Sequence, residues 1–520
     1  MIIHTCIVMA LSFFMCLPSN ITGVPRISKN KKSKNTMQKK VTPQDAIQVK
    51  LKVVLDKINV PTVIKSAVIP GDTEESLFIL TQPGEIWLIR EDKPQLILDI
   101  SAKNGGDVLK LGGVKGADPS YDERGLLGIE FHPEFTQNGR FFLYFSTQDS
   151  KSTSPYIKKP DPCDPGSLKI KWENQNDYNH ENVVEEWKFT NITTIKRVRR
   201  FLSIKHPFFN HVSINNLFWV VELNRLLLLT GDGGFRDAPF NLAQDDAFFH
   251  GKVIALDVDA DAWKNYMPKP IARFDELSPE IRKLCVVLIK GFRNWSGISE
   301  YKKDATTIRF FGQPGQDAVE AIYALTAFSP EVLTVPSKPL NIGWPGWEGS
   351  FPALQNLDCS SRKLSKNSGN LKSVTFYQEA VNLAVERKLP YCEYYHQDNR
   401  PGKVKAVCIS GQQVYQGNLI PELKDHVIIA DWAHNIADEI YEGGQTVPDS
   451  PGLLICASID NQLDKLHEYK KIEIAHDFKK PAYFVSLGAN KDQTRIFLGT
   501  YQTTGSVKPH LGTVFELVSR

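Results

Sequence analysis

Leu226-Leu227-Leu228-Leu229-Thr230 followed by Gly231-Asp232-Gly233-Gly234 sets the pattern of this chain: an apolar run of strand length that breaks into a glycine turn beside a carboxylate. The same wording recurs along the sequence. Ser76-Leu77-Phe78-Ile79-Leu80, Glu85-Ile86-Trp87-Leu88-Ile89, Arg140 to Phe145, Lys252 to Leu256, His426 to Ala430 and Arg495 to Gly499 are further runs, bounded by Gly, Asp, Asn or Pro. Their β-branched and aromatic content predicts strands from about Val53 onward. Helical signals are short: Ser278 to Leu284, where Ser then Pro reads as a cap and first turn, and Tyr377 to Val385. The chain is therefore expected to be all-β. A sandwich or barrel rarely needs more than about 250 residues, so the length favours radial repetition in a propeller, although no repeat of about 40 to 45 residues is visible. Ser150 to Asn182 and Phe351 to Lys388 are polar insertions that read as elaborated loops.

Composition bounds the function. Hydrophobic residues make up 42% and charged residues 23% of 520, and a net charge of +3 gives no footprint for nucleic acid or a polyanionic substrate. Ile2 to Leu17 is an almost uncharged apolar stretch, so residues 1–23 are expected to be an export signal and the protein secreted or surface-exposed. No Lys or Arg precedes that stretch, which leaves an uncleaved anchor, and with it membrane contact, as the alternative. Residues 24–44, with the basic run Arg26 to Lys40, read as a flexible spacer, and 45–520 as one domain.

Beyond the leader stand Cys163, Cys285, Cys359, Cys392, Cys408 and Cys456, an even set without Cys-x-x-Cys. In an exported protein this predicts disulfides, with Cys392 and Cys408 as the first pair because they flank a short segment expected to form a hairpin; buried free thiols are the alternative. Asn191-Ile192-Thr193 and Asn294-Trp295-Ser296 are formal glycosylation sequons, and a glycan on the second would have no room if its loop lines a pocket.

Five fragments carry a resemblance: Glu123-Arg124-Gly125-Leu126-Leu127-Gly128 with His132-Pro133, Gly231-Asp232-Gly233-Gly234, Gly291-Phe292-Arg293-Asn294, Gly315-Gln316, and Asn341-Ile342-Gly343-Trp344-Pro345. Their order resembles the glucose/sorbosone dehydrogenase domain, shared by soluble quinoprotein sugar dehydrogenases and Hedgehog-interacting-protein-like proteins, and is closer to the second branch. The resemblance implies a six-bladed β-propeller of the quinoprotein glucose dehydrogenase type, with the strand near Thr513 to Leu517 beside an N-terminal strand.

It also implies a site. A hairpin between His211 and the Gly231 turn would bring His211 to Asp232, and a histidine oriented by a carboxylate suits proton abstraction. In the dehydrogenases the corresponding histidine is the general base while hydride passes from an aldose to pyrroloquinoline quinone (PQQ). His132 is a rival, but its Phe-His-Pro setting reads as a structural turn. The Arg293 guanidinium is a fixed fork of donors for a quinone carbonyl, with Asn294 beside it; the alternative is an arginine that holds its own loop. Asp237 and Glu123 complete the cofactor-side candidates. Pro314, Gly315, Asp317 and Glu320 match the family's calcium loop, whose carbonyls and carboxylates suit a hard cation.

The chain also departs from the dehydrogenase pattern. Glu123-Arg124 stands where the bacterial enzymes have a neutral amide, Ile214-Asn215 replaces Gly-Gly, and Trp432-Ala433-His434 takes the place of a lysine. No Arg-x-Arg occurs near the last strands; Lys479-Lys480 and Arg495 are the nearest cations. Two functions follow: a secreted PQQ-dependent and calcium-dependent aldose dehydrogenase, or a catalytically inactive Hedgehog-interacting-protein-like domain that binds a protein or glycan.

Overall fold

The computed structural model describes residues 46–112, 121–148, 170, 172, 178–235, 238–316, 318–334, 338–352, 355–358, 363–366, 387–396, 403–405, 408–433, 452–476, 478, 482–503 and 508–520. The leader, the spacer, Asp237, Asp317, Cys163, Cys359, His434, Lys479, Lys480 and the expected helix Tyr377 to Val385 lie outside the described residues, as does most of the Ser150 to Asn182 insertion.

The chain is all-β. Each apolar run quoted above forms a strand, Thr230 and Arg495 falling just outside: Glu75–Thr81, Glu85–Arg90, Arg140–Thr147, Arg225–Leu229, Lys252–Leu256, His426–Asp431 and Ile496–Tyr501. Leu226 to Leu229 is buried throughout, which is why that run shows no polar alternation. The helix Pro279–Arg282 forms as expected, its Ser278 side chain accepting from the Ile281 amide at 3.4 Å. The second insertion contains a hairpin of Gln355–Asp358 and Lys363–Lys366.

The expected six-bladed propeller is not what the strands form, because they are not divided into six four-stranded units closed into a ring. One open sheet of twelve strands runs from Ile409–Tyr415 at one edge to Lys93–Asp99 at the other. Two five-stranded sheets, one four-stranded sheet and two hairpins account for the other strands. The strand Ile47–Ile58 causes the fusion. Its twelve residues present a long row of backbone donors and acceptors on both edges. One edge pairs antiparallel with Gly512–Ser519 from Val49↔Ser519 to Ile58↔Gly512, and the other pairs parallel with Tyr469–Ile474 at Ile47↔Ile472. A bridge at Lys65↔Ala489 then joins Pro61–Val68 and the strands after it. The C-terminal strand does lie beside an N-terminal one, but that pairing extends a sheet.

Cores lie between successive sheets. Phe142, Val184 and Leu202 of one five-stranded sheet pack on Leu217, Leu226 and Ile254 of the other. Leu227, Val253 and Ile289 meet Phe311 and Tyr323 of the four-stranded sheet, which in turn packs through Phe310 and Ile322 on Val414, Ile429 and Ile455 of the large sheet. Burial of each such side chain stabilises by about 1.5–3 kcal/mol.

The expected disulfide is also corrected. Cys285, Cys392, Cys408 and Cys456 all carry thiols. The segment between Cys392 and Cys408 is no hairpin: Cys392–Tyr395 pairs with Val319–Thr326, whereas Ile409–Tyr415 pairs with His426–Asp431 in a different sheet. Cys285, Cys392 and Cys456 are buried among apolar side chains, which pushes each thiol up to about 12.

Candidate functional site

The strands Leu217–Val220 and Arg225–Leu229 form an antiparallel hairpin with Leu217 opposite Leu228, so the loop before the first meets the turn after the second. Gly231 permits the contact. A Cβ there would stand 1.8 Å from the His211 carbonyl oxygen. His211 Nδ1 consequently lies 2.7 Å from Asp232 Oδ1, with both side chains buried. The carboxylate acceptor puts a ring proton on Nδ1, and among the described residues no protein group bonds Nε2 of this pocket-lining ring. Asp232 is itself fixed: the Gly234 amide donates to Oδ1 at 2.9 Å and the Trp344 indole to Oδ2 at 2.8 Å.

The loop that carries His211 is strained. His211, Ser213 and Asn215 have φ of 57°, 64° and 49°, a left-handed conformation that disfavours side chains by about 1–2 kcal/mol each. Several contacts hold it. The His211 amide donates to Glu123 Oε2 at 2.6 Å, the Ser213 amide to Asn294 Oδ1 at 3.0 Å, and the Asn215 amide to the Leu127 carbonyl at 2.8 Å. Behind it the buried His206 ring places Nδ1 2.7 Å from the Phe208 carbonyl and Nε2 3.3 Å from that of His211. Burial lowers the pKa of His206 to about 4.

Arg293 follows from the next loop. Its carbonyl accepts from the Asp232 amide at 2.8 Å, its amide donates to Gln313 Oε1 at 3.1 Å, and Nη1 lies 3.4 Å from the Pro314 carbonyl. Glu123 Oε1 also accepts from the Tyr121 hydroxyl, and burial beside that carboxylate keeps the phenol protonated. Asp122 is taken up by a two-point ion pair with buried Arg124 at 2.8 and 2.6 Å.

His211, Asn294, Glu123, Arg293 and Pro314 line one cavity of about 190 Å³, which Asp232 supports from behind. Leu127, Val212, Ile214, Trp295, Trp432, Val485 and Tyr501 form its apolar wall; Ser213, Ser410 and Thr503 add hydroxyls. Trp432, where a lysine was looked for, stacks on Tyr483 at 4.4 Å between ring centres. Tyr121, Ser410, Tyr501 and Thr503 were missed in the sequence, since no motif marks them and they arrive from distant strand ends. His132 sits elsewhere, its Nδ1 accepting from the Glu134 amide at 3.1 Å in its turn.

The calcium-loop candidates are engaged by protein. Glu320 Oε1 accepts from His396 Nε2 at 2.7 Å and from the Gly315 amide at 3.2 Å, and Oε2 from the Ile409 amide at 2.8 Å. The Gln316 and Ala318 amides donate to Glu348 Oε1 at 2.6 and 2.7 Å. The Pro314 carbonyl faces the Arg293 cation. Among the described residues no group of three or more His, Cys, Asp or Glu side chains could hold a metal ion.

These features define an all-β domain with a loop-built polar site on an apolar cavity. In sequence the chain is similar to Hedgehog-interacting-protein-like proteins, and its fold is similar to that of solved sugar dehydrogenases. It is 28% identical over 314 residues to the HIPL1 protein of Arabidopsis thaliana, covering 54% of this chain and 40% of that protein. It is 24% identical over 205 residues to the Hedgehog-interacting protein of Mus musculus, 38% of this chain and 24% of that one. The match thus spans less than half the length of these relatives. A glucose dehydrogenase of Thermus thermophilus superposes over 90% of this chain and 100% of its own, and the PQQ-bound aldose sugar dehydrogenase of Streptomyces coelicolor over 92% and 99%; each has a TM-score of 0.50 and 15% identity, a likeness of fold. No protein-family model matches the chain. Among the described residues no helix is long and apolar enough to cross a membrane.

Proposed function

We propose that this chain is a Hedgehog-interacting-protein-like binding domain that works outside the cell without a quinone, its loop pocket receiving a polar group of a protein or glycan partner. The observation that carries the reading is the charge of the pocket. Among the described lining residues Arg293 is the one permanently charged cation, and Glu123 adds a carboxylate to the same lining, whereas Asp122 is paired with Arg124. PQQ is a tricarboxylate. Each fixed cation missing from its carboxylates forgoes about 1.5–3 kcal/mol of charged hydrogen bonding. A ligand carboxylate about 5 Å from Glu123 would be opposed by about 3 kcal/mol at an effective dielectric of about 20. The cavity is also below the roughly 300–1,000 Å³ usual for small-molecule sites.

The residues therefore do not fit the quinone, and the engaged Glu320 and the cation beside Pro314 do not suit calcium. What the site offers instead is His211 Nε2 as an acceptor, Arg293 as a donor, hydroxyls, and the ring of Trp432. That set suits hydroxyls and amides displayed on a partner's surface.

The aldose dehydrogenase remains the second reading, favoured by the 2.7 Å His211–Asp232 pair. One experiment separates the two. The chain is tested for dye-linked oxidation of aldoses with added PQQ and calcium, and for binding to arrays of glycans and purified extracellular proteins. We expect no dye reduction and at least one partner whose binding falls tenfold or more in His211→Ala. Dye reduction that His211→Ala abolishes would overturn the proposal.

A further inference from the structure

Of the three Asn-x-Ser/Thr sequons, Asn20-Ile21-Thr22 lies in the expected export signal, and the other two are separated by their surroundings. Asn191 ends the strand His180–Asn191 and faces Thr194 across a two-residue turn, exposed at the tip of a hairpin. Its Oδ1 accepts from the Thr193 amide and hydroxyl, both at 3.0 Å. Nδ2 has no protein acceptor among the described residues. Beside the turn opens a groove of about 300 Å³ lined by Ile69, Asp72, Arg90, Phe189 and Ile192. Asp72 and Arg90 form an ion pair at 2.8 Å along it, and half-buried Ile192 supplies apolar surface over the buried Phe189 ring. A sugar ring has one apolar face and a polar rim, and this groove offers a counterpart to each.

Asn294 is placed differently. Its Oδ1 accepts from the Ser213 amide and hydroxyl at 3.0 and 3.2 Å, its neighbours Trp295 and Ser296 are buried, and it lines the narrow pocket. A glycan there would fill the site and break the contact that holds the His211 loop.

We propose that Asn191 is an N-glycosylation site and Asn294 is not, the first sugars lying in the groove between the Asn191 turn and the Asp72–Arg90 pair. In the transfer Asn191 Nδ2 forms a bond to the anomeric carbon of a lipid-diphosphate-linked oligosaccharide. The carbon–oxygen bond to the diphosphate breaks, the lipid diphosphate leaves with the electron pair, and the amide nitrogen gives up one proton. The proposal rests on the export reading, because the donor lipid is used in the secretory compartment.

The test expresses the full chain in a eukaryotic secretory host and treats it with a glycosidase that cleaves the Asn-linked sugar. The expected result is the loss of one glycan's mass. Asn191→Gln and Thr193→Ala should remove that mass, and Thr193→Ser should keep it. Release should be at least tenfold slower from the folded than from the denatured chain, since the innermost sugar lies in the groove. A secreted chain without a removable glycan, or one whose glycan survives Asn191→Gln, overturns the site and leaves export standing. A chain kept in the cytosol without a glycan overturns both. Equal release rates overturn the groove.

Discussion

Trp344→Phe removes one donor from a carboxylate that has no access to water. Asp232 is fully buried in its side chain and receives three hydrogen bonds, from His211 Nδ1 at 2.7 Å, the Gly234 amide at 2.9 Å and the Trp344 indole at 2.8 Å. Phenylalanine keeps an aromatic ring but leaves Oδ2 without its indole partner. A hydrogen bond to a charged group contributes about 1.5–3 kcal/mol, and loss of part of the indole volume adds about 1 kcal/mol. We therefore expect destabilisation of about 2.5–4 kcal/mol, read from the urea midpoint at constant slope. Asp232→Asn separates the two contributions, because it removes the charge at nearly constant size. In a double-mutant cycle the pair should couple by more than about 1 kcal/mol. Additive losses, or a Trp344→Phe cost under about 0.5 kcal/mol, would refute the claim that Trp344 secures Asp232 and through it His211.

Three further outcomes are expected. Because the folded pKa of His206 is about 4 against an ordinary 6.5, its contribution to stability is complete above pH 6.5 and is lost as pH falls toward 4; this is on the order of 3 kcal/mol, and urea midpoints of wild type and His206→Gln measured from pH 7.5 to 4 should converge at acid pH. Gly231→Ala sets a Cβ 1.8 Å from the His211 carbonyl, so it should cost about 3 kcal/mol or more and abolish partner binding, checked by denaturant titration and by the array assay. Iodoacetamide should label Cys285, Cys392 and Cys456 only after unfolding and without reductant, read by peptide mass spectrometry, whereas a Cys392–Cys408 crosslinked peptide would contradict the structure.

The strands were legible because Leu226 to Leu229 and the comparable runs have strand length, apolar content and glycine or aspartate stops, all local properties. The approach of His211 to Asp232 was legible for the same reason: one hairpin separates them. The joining of sheets was not: the resemblance implied a C-terminal strand beside an N-terminal one, but no repeat announces the parallel pairing of Ile47–Ile58 with Tyr469–Ile474 that joins the sheets. The Cys392–Cys408 expectation failed on a related point, as two cysteines close in sequence entered different sheets. Glu320 read as a calcium-loop candidate because His396 and Ile409, which engage its carboxylate, come from separate segments. The cavity wall was equally hidden, with Trp432 and Tyr501 lying far along the chain from His211.

The affinity of the pocket for PQQ separates a binding domain from a dehydrogenase most directly. Calorimetric titration of the chain with PQQ and calcium should give no binding up to high micromolar quinone, and Glu123→Gln, which lifts the repulsion, should raise whatever weak affinity remains. Submicromolar, calcium-dependent binding that Arg293→Ala abolishes would contradict it.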